Sequence, residues 1–134
     1  MEVPHKIYFD HEKLDAYTQS IAFVAWLSPI LDGLSKAGDV KDQLDRASTS
    51  IPLNIAEGNA KYSLKERGRY FEIASGSALE CAAGLDVLVA KKKLTVAEIE
   101  PGKELLSRIV RLCIGLLKKL TDREYERGPK QSRQ

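Results

Sequence analysis

The chain has 134 residues, of which 43% are hydrophobic and 30% are charged, and this composition fits one domain with an ordinary core. Its formal net charge of +2 hides an asymmetry, because residues 1–60 hold five Lys/Arg against nine Asp/Glu and residues 61–134 hold sixteen against ten. The N-terminus has no signal-peptide pattern and no apolar run approaches the roughly 18 residues of a membrane span, so we expect a cytoplasmic protein without a membrane partner.

The first predicted helix covers about residues 10–35 and is apolar on two sides. Pro29 removes a backbone donor inside it and predicts a kink, and the Lys36-Ala37-Gly38 segment predicts its end. The aromatic second side fits either a broad core-facing stripe or a subunit interface. The main side consists of Leu14, Tyr17, Ile21, Val24, Leu31 and Leu34, and the second side of Phe23, Trp26 and Ile30.

The second predicted helix covers about residues 39–60. Pro52 lies well inside it, and we expect one kinked helix because the neighbouring hydroxyl side chains can satisfy the carbonyl that the proline releases. Its predicted apolar seam consists of Val40, Leu44, Ala47, Ile51, Ile55 and Gly58.

The third and fourth predicted helices cover about residues 63–92 and 96–121, and each begins with a capping-box pattern. Many small residues in the third helix permit the close approach of another helix. The predicted seam of the third helix is Leu64, Phe71, Ala74, Ala78, Cys81, Leu85 and Leu88. That of the fourth is Leu106, Ile109, Cys113, Leu116 and Leu120.

Four amphipathic helices with short connections predict an all-α fold, an antiparallel up-down-up-down four-helix bundle formed by residues 1–121. Residues 122–134 are polar and aperiodic, so we expect a disordered tail. Cys81 and Cys113 fall in apolar seams and are expected to pack as small hydrophobic residues in a reducing compartment, with a disulfide or a reactive thiol as the alternative.

A row of polar residues follows the seam of the second helix at spacings of four, four and three. The row is Arg46, Ser50, Asn54 and Glu57. Such a row is costly beside a core unless every member has a partner, so it is either a satisfied network or a surface that faces something other than water. We favour a network in which Arg46 contacts Glu80 on the next helix, with Asn54 and Ser77 completing it.

The chain lacks the residues that most catalytic and metal sites require. Both histidines, His5 and His11, lie near the N-terminus, which argues against a Glu-x-x-His di-metal bundle, a Ser-His-Asp triad and a histidine-dependent ribonuclease. No P-loop or dinucleotide fingerprint occurs, and two cysteines on different helices do not form a zinc site. We therefore expect no catalytic residue, no cofactor and no metal.

The segments RASTSIPLNIAEG at 46–58 and FEIASGSALE at 71–80 resemble the signature of four-helix bundle proteins encoded in intervening sequences of bacterial 23S ribosomal RNA genes. The resemblance covers about residues 10–120. It implies a left-handed bundle that assembles as a homo-oligomeric ring, a homopentamer, and a relationship to accessory proteins of diversity-generating retroelements, which pair with a reverse transcriptase and bind nucleic acid. It marks as the polar signature Arg46, Ser50, Asn54, Glu57, Ser77 and Glu80.

The first hypothesis is a non-enzymatic oligomeric adaptor that binds structured RNA, DNA or a ribonucleoprotein through basic helical faces. Candidate contacts lie around the start of the third helix and on the outer face of the fourth. They are Lys61, Lys65, Arg69, Arg108, Arg111 and Lys118. The alternative is a protein-interaction scaffold that partners a reverse transcriptase in a diversity-generating retroelement.

Overall fold

A computed structural model describes residues 6–34 and 38–132, with side chains up to residue 126, and within those ranges it contains helices and no strand. The prediction of an all-helical protein with four long helices is confirmed. The helices are α1 (Asp15–Gly33), α2 (Asp39–Ala60), α3 (Leu64–Ala90) and α4 (Val96–Ser132), and a short 3-10 helix at Asp10–Lys13 precedes α1.

The four helices enclose one shared core. α1 packs against α2 and α4, and α3 packs against the same two helices, whereas no contact joins the diagonal pairs in the described part of the chain. A small second cluster of Leu64, Phe71 and Leu120 lies where the start of α3 meets the later part of α4. This second cluster matters for function because it fixes which part of α4 lies beside the α2–α3 turn.

The apolar seams of α2 and α3 agree with the prediction. All seven predicted seam residues of α3 are buried, and so is every predicted α2 seam residue except the half-buried Val40. The capping residues also form the predicted bonds at the helix starts. The Glu66 backbone N–H donates to the Ser63 hydroxyl at 3.0 Å, and the Glu98 N–H donates to the Thr95 hydroxyl at 3.1 Å.

The prediction for α1 is wrong in its boundaries and only partly right in its core face, where Leu31 is buried and Leu14, Tyr17 and Leu34 pack against the core. Leu14 is extended and separates the 3-10 turn from α1, which ends at Gly33, while Lys36 and Ala37 lie outside the described residues. The predicted seam residue Ile21 is 42% exposed, and Phe23 of the second side is fully buried. The reason is that α1 is apolar around most of its circumference, so periodicity alone does not identify the buried face. The buried residues are Ala16, Ser20, Phe23, Leu27 and Leu31.

Trp26 packs inward, which favours the core-facing interpretation of the aromatic side of α1. Its ring lies 5.7 Å from that of Phe23, centroid to centroid, and its indole contacts the position that a Cβ on Gly102 would occupy. Gly102 therefore makes room for a large aromatic ring between α1 and the start of α4.

The predicted boundary of α4 at residue 121 is also corrected, because the helical backbone continues to Ser132. Residues 121–126 carry exposed side chains on this extension. A polar composition removes the burial signal of a helix but does not stop it, and the helical backbone continues through the Gly-Pro pair at residues 128–129.

By length and composition, α3 is apolar enough to cross a bilayer, and it is the one helix in the described ranges that meets these criteria. This overturns the expectation that no apolar stretch approaches a membrane span. Core helices of water-soluble bundles meet the same criteria, and the buried seam of α3 belongs to the shared core. Ala82 and Val89 also pack against this core, and other apolar side chains of α3 lie on its outer face, where Leu79 is 58% exposed.

Candidate nucleic-acid interface

The central residues of the polar signature form a hydrogen-bonded link between α2 and α3. The hydroxyls of Ser50 and Ser77 lie 2.9 Å apart, and the Asn54 amide donates to the Ser50 hydroxyl and to the Ser50 carbonyl, each at 2.8 Å. All three side chains are half-buried. The predicted network is therefore present at these positions, where it fixes the register of the two helices.

The charged members of the signature do not join that link. Arg46, Glu57 and Glu80 are exposed, and the ion pairs of the described residues include none between Arg46 and Glu80. Glu57 instead pairs with Lys61 one turn later, at 3.5 Å. The predicted Arg46–Glu80 contact is thus wrong, because exposed long side chains keep their hydration and gain little from pairing. The signature presents a charged outer edge as well as an inner link.

Arg67 organises the turn between α2 and α3. One guanidinium nitrogen, Nη1, donates to the backbone carbonyls of Asn59 at 2.9 Å and Lys61 at 3.1 Å, and Nη2 donates to the Asn59 side chain at 3.2 Å. The Asn59 amide in turn donates to Asp10 at 3.0 Å, a bond that lowers the pKa of the Asp10 carboxyl. This chain of bonds attaches the 3-10 helix to the turn and holds the turn in one conformation.

Three predicted contacts lie around this turn. Lys65 and Arg69 are exposed and Lys61 is half-buried. Lys61 Nζ lies 5.3 Å from the centroid of the Tyr70 ring, and the Arg69 guanidinium carbon lies 5.4 Å from the same centroid. The aromatic ring thereby restrains two of the three cations at the surface.

The packing of α4 brings a second basic segment to the same end of the molecule. Leu117 and Leu120 lie 3.7 Å from the position of a Cβ on Gly68, near the start of α3. Lys118, which follows Leu117, is exposed on α4 at the same level of the bundle as the start of α3. We call the surface that carries Lys61, Lys65 and Arg69, with Lys118 at the same level on α4, the basic end surface.

The other two predicted contacts extend this surface along α4. Arg108 is exposed and donates to Gln19 of α1 at 2.9 Å, and the exposed Arg111 donates to Ser107 at 2.8 Å. Arg111 also lines a groove of about 330 Å³ between α1 and α4, together with Lys13, Lys119 and one acid, Asp15. Residues 108–119 contain four Lys/Arg and no Asp/Glu, so every charged side chain in this stretch of α4 is positive.

The sequence did not identify four of the residues that shape this region. Arg67, Tyr70 and Lys119 acquire their roles through contacts between elements, which periodicity does not reveal. Tyr62 could have been identified from the sequence, because it is a lone aromatic residue in a polar turn. Its side chain is fully exposed. His5 lies outside the described residues, and in the described ranges no group of three or more His, Cys, Asp or Glu is placed to hold a metal ion.

The family model described as "23S rRNA-intervening sequence protein" matches residues 12–115 of this chain. The chain belongs to the 23S rRNA-intervening sequence protein family. The matched range contains the whole polar signature, the α2–α3 turn and the basic segment of α4 up to Gly115.

A solved structure shares this fold. It is a crystal structure of a protein with unknown function from the S23 ribosomal protein family of Bacteroides thetaiotaomicron, and it is 23% identical to this chain. The alignment covers 77% of this chain and 98% of that one, with a TM-score of 0.72. No curated protein matches the chain. For this member of the 23S rRNA-intervening sequence protein family, the likeness therefore supports the helical fold.

Proposed function

We propose that this protein is a non-enzymatic, cytoplasmic adaptor that binds RNA or DNA, free or within a ribonucleoprotein, through the basic end surface and the basic stretch of α4. The observation that carries the proposal is that cations of the α2–α3 turn, the start of α3 and the later part of α4 lie at the same end of the bundle. Clustered exposed cations of this kind bind phosphate oxygens with little dependence on sequence.

Neutralising the basic end surface tests this proposal. We expect the triple variant Lys61→Gln, Lys65→Gln, Arg69→Gln to bind a fluorescein-labelled RNA hairpin more weakly than the parent protein. Its plot of log affinity against log salt should become shallower by about two to three, since each lost phosphate contact removes about 0.7 from the slope in a single strand and about 0.9 in a duplex. The measurement is a set of fluorescence anisotropy titrations between roughly 50 and 200 mM KCl, the range over which affinity for phosphates falls steeply with salt.

The other end of the bundle offers a matched control. Lys91, Lys92 and Lys93 are also exposed, and replacing all three with Gln removes the same formal charge. If binding uses the basic end surface, this control keeps the salt slope of the parent. Equal losses in both triple variants would mean that net charge alone drives binding. Absence of binding by the parent at about 50 mM KCl, where phosphate contacts are strong, would overturn the proposal.

The proposal includes an antiparallel up-down-up-down, left-handed bundle that assembles as a homopentameric ring. Contacts between α2 and α3 support the antiparallel arrangement. Gly58, late in α2, lies against Tyr70 near the start of α3, and Leu44, early in α2, lies against Gly84 near the end of α3. The number five rests on the family resemblance described above.

We further propose that the outer face of α3 is the surface through which copies associate. Ile73 is 40% exposed, Leu79 58% and Val87 38%, and the exposed Ala83 and Gly76 between them leave room for another helix. From residue 73 to residue 87 the face is about 21 Å long at the helical rise of about 1.5 Å per residue. Exposed Glu72 and Glu80 lie along the same face, so its apolar and small residues, which are typical of contacts between helices, are accompanied by two carboxylates.

Placing a charge in the middle of this face tests the self-association. We expect Ala83→Glu to reduce the molar mass measured by light scattering toward the 14.9 kDa of one chain, because the carboxylate is desolvated in an apolar contact. Val96→Glu is the control, because Val96 is also an exposed helical position, at the start of α4. A parent protein that is already monomeric at micromolar concentration would overturn the proposal, and a reverse transcriptase that co-purifies with that monomer would favour the scaffold hypothesis.

A further inference from the structure

We propose that the α2–α3 turn is a single-strand-selective site at which an unpaired base stacks on Tyr62 while the neighbouring cations hold its phosphates. The inference rests on the proposed nucleic-acid binding and adds the class of ligand, a single-stranded segment. The juxtaposition behind it is a fully exposed aromatic ring in a restrained turn, next to three surface cations.

The exposure of Tyr62 is the first observation. Its side chain has a relative accessibility of 102%, so the ring has no packing role within the chain. Single exposed apolar residues are common, but Tyr62 lies at an end of the bundle that exposes other aromatic rings as well. The 3-10 helix that Asp10 attaches to the turn follows Tyr8 and Phe9, which are 72% and 66% exposed. Phe9 stacks on His11 and Lys6 lies over Tyr8, so each of these two rings has one neighbour while most of its surface stays open to stacking.

The second observation is that the turn is held in place. Arg67 bonds the carbonyls of Asn59 and Lys61 on the N-terminal side of Tyr62, and the Ser63 hydroxyl caps α3 on the other side. Because the backbone on both sides of Tyr62 is held, stacking of a base has to fix only the side-chain torsions of this ring. This arrangement distinguishes Tyr62 from an exposed aromatic residue in a mobile segment.

The third observation is the distribution of charge around the ring. Residues 57–70 contain Lys61, Lys65, Arg67 and Arg69 against two acids, and Tyr70 restrains the first and last of these cations. Lys65 projects from the first turn of α3, whose N-terminal N–H groups add partial positive charge for a phosphate. Phosphate contacts and a stacking ring thus lie within a few residues of each other.

Selectivity follows from the geometry of the ligand. Bases in a duplex are already stacked on their neighbours, so they reach an external ring only at a cost, whereas bases in a loop or a single strand stack freely. The phosphate contacts, by comparison, serve both forms. We therefore expect Tyr62 to contribute to the binding of single strands and not to that of duplexes.

The test measures the affinity of Tyr62→Ala for three probes by fluorescence anisotropy, namely oligo(dT), an abasic strand of the same length and a DNA duplex. We expect at least about a five-fold loss for oligo(dT), the lower end for one stacked base, and no change for the other two probes. Tyr62→Phe should keep the parent affinity because it keeps the ring. Tyr125→Ala, at an 87% exposed tyrosine on α4, is the control for loss of an exposed ring elsewhere.

Failure of this inference is distinguishable from failure of the proposed function. If the triple glutamine variant loses binding while Tyr62→Ala binds oligo(dT) as the parent does, the electrostatic function stands and the stacking site is wrong. Equal losses for oligo(dT) and the abasic strand would also overturn the stacking site, since no base is then involved. Because Tyr62 contacts no core residue, the melting temperature of its variants should equal that of the parent, which separates binding from folding.

Discussion

Replacing Gly58 with valine is expected to destabilise the protein by about 3 kcal/mol, near the upper end of the usual cost of overpacking. Gly58 is buried where α2 meets α3, and a Cβ there would lie 2.8 Å from the Tyr70 Cβ and 3.0 Å from the Phe71 ring. The Tyr70 Cβ is attached directly to the backbone of α3, so the two helices would have to separate. Urea unfolding monitored by circular dichroism measures the loss in free energy of unfolding. We also expect the melting temperature to fall by about 10 °C.

Gly115 provides the matched control for this substitution. It lies in the interior of α4, and a Cβ there would have no atom within 4 Å. Gly115→Ala should therefore stabilise the protein by up to about 1 kcal/mol, because alanine restricts the unfolded chain without meeting a neighbour. A Gly58→Val protein as stable as the parent would show that the two helices separate freely at this position, contrary to the close contact described above.

The two buried thiols should make the protein lose stability steeply in mild alkali. Cys81 and Cys113 are both fully buried and unpaired. Burial raises the pKa of Cys81 to about 12, with Glu80 adding to the effect, and raises that of Cys113 to about 11, from an ordinary value of 9.0. In the native state both thiols keep their protons up to these higher values, whereas in the unfolded chain they lose them above about pH 9.

The sign of the effect follows from this difference in bound protons. The contribution of the thiols is complete below about pH 9 and decreases as the pH rises toward the native-state pKa values. Each thiol should lower the free energy of unfolding by about 1.4 kcal/mol for each pH unit above the ordinary thiol pKa. At pH 10, about one unit above it, the two thiols together should therefore lower the free energy of unfolding by about 3 kcal/mol relative to pH 7. Urea unfolding of the parent and of the variant Cys81→Ala, Cys113→Ala at both pH values measures this, since other titrating groups are common to the two proteins. A constant difference between their stabilities would contradict the prediction.

The regular parts of the fold follow from residue spacing, whereas the crowded and polar parts do not. After Leu64, the seam of α3 repeats at spacings of three and four from Phe71 to Leu88 without a break, and this regular register identifies the buried face although α3 carries apolar residues on other faces as well. In α1 most faces are apolar, and the choice between Ile21 and Phe23 depends on space that the other helices leave. Trp26 fits inward because Gly102, 76 positions later in the sequence, carries no side chain to exclude it.

The candidate site shows the same division. Spacing correctly placed Ser50, Asn54 and Ser77 near one another, because residues on facing helical stripes meet across an interface. It failed for Arg46 and Glu80, since a long exposed side chain has water as an adequate partner. The level of Lys118 relative to the α2–α3 turn depends on how far α4 slides along α3, and that level is set by the packing of Leu117 and Leu120 against Gly68.

The exposed extension of α4 illustrates how a helix forms without a core of its own. Isolated helices need roughly 12–15 residues to persist in water, because the first turn is costly to nucleate. The twelve residues 121–132 are at the lower limit of that length. Here nucleation is already complete in the packed part of the helix that ends at the buried Leu120, and each later residue except Pro129, which has no N–H, can add one backbone bond to an existing end. The extension is therefore a product of propagation, and its order depends on the cluster of Leu64, Phe71 and Leu120 from which it grows.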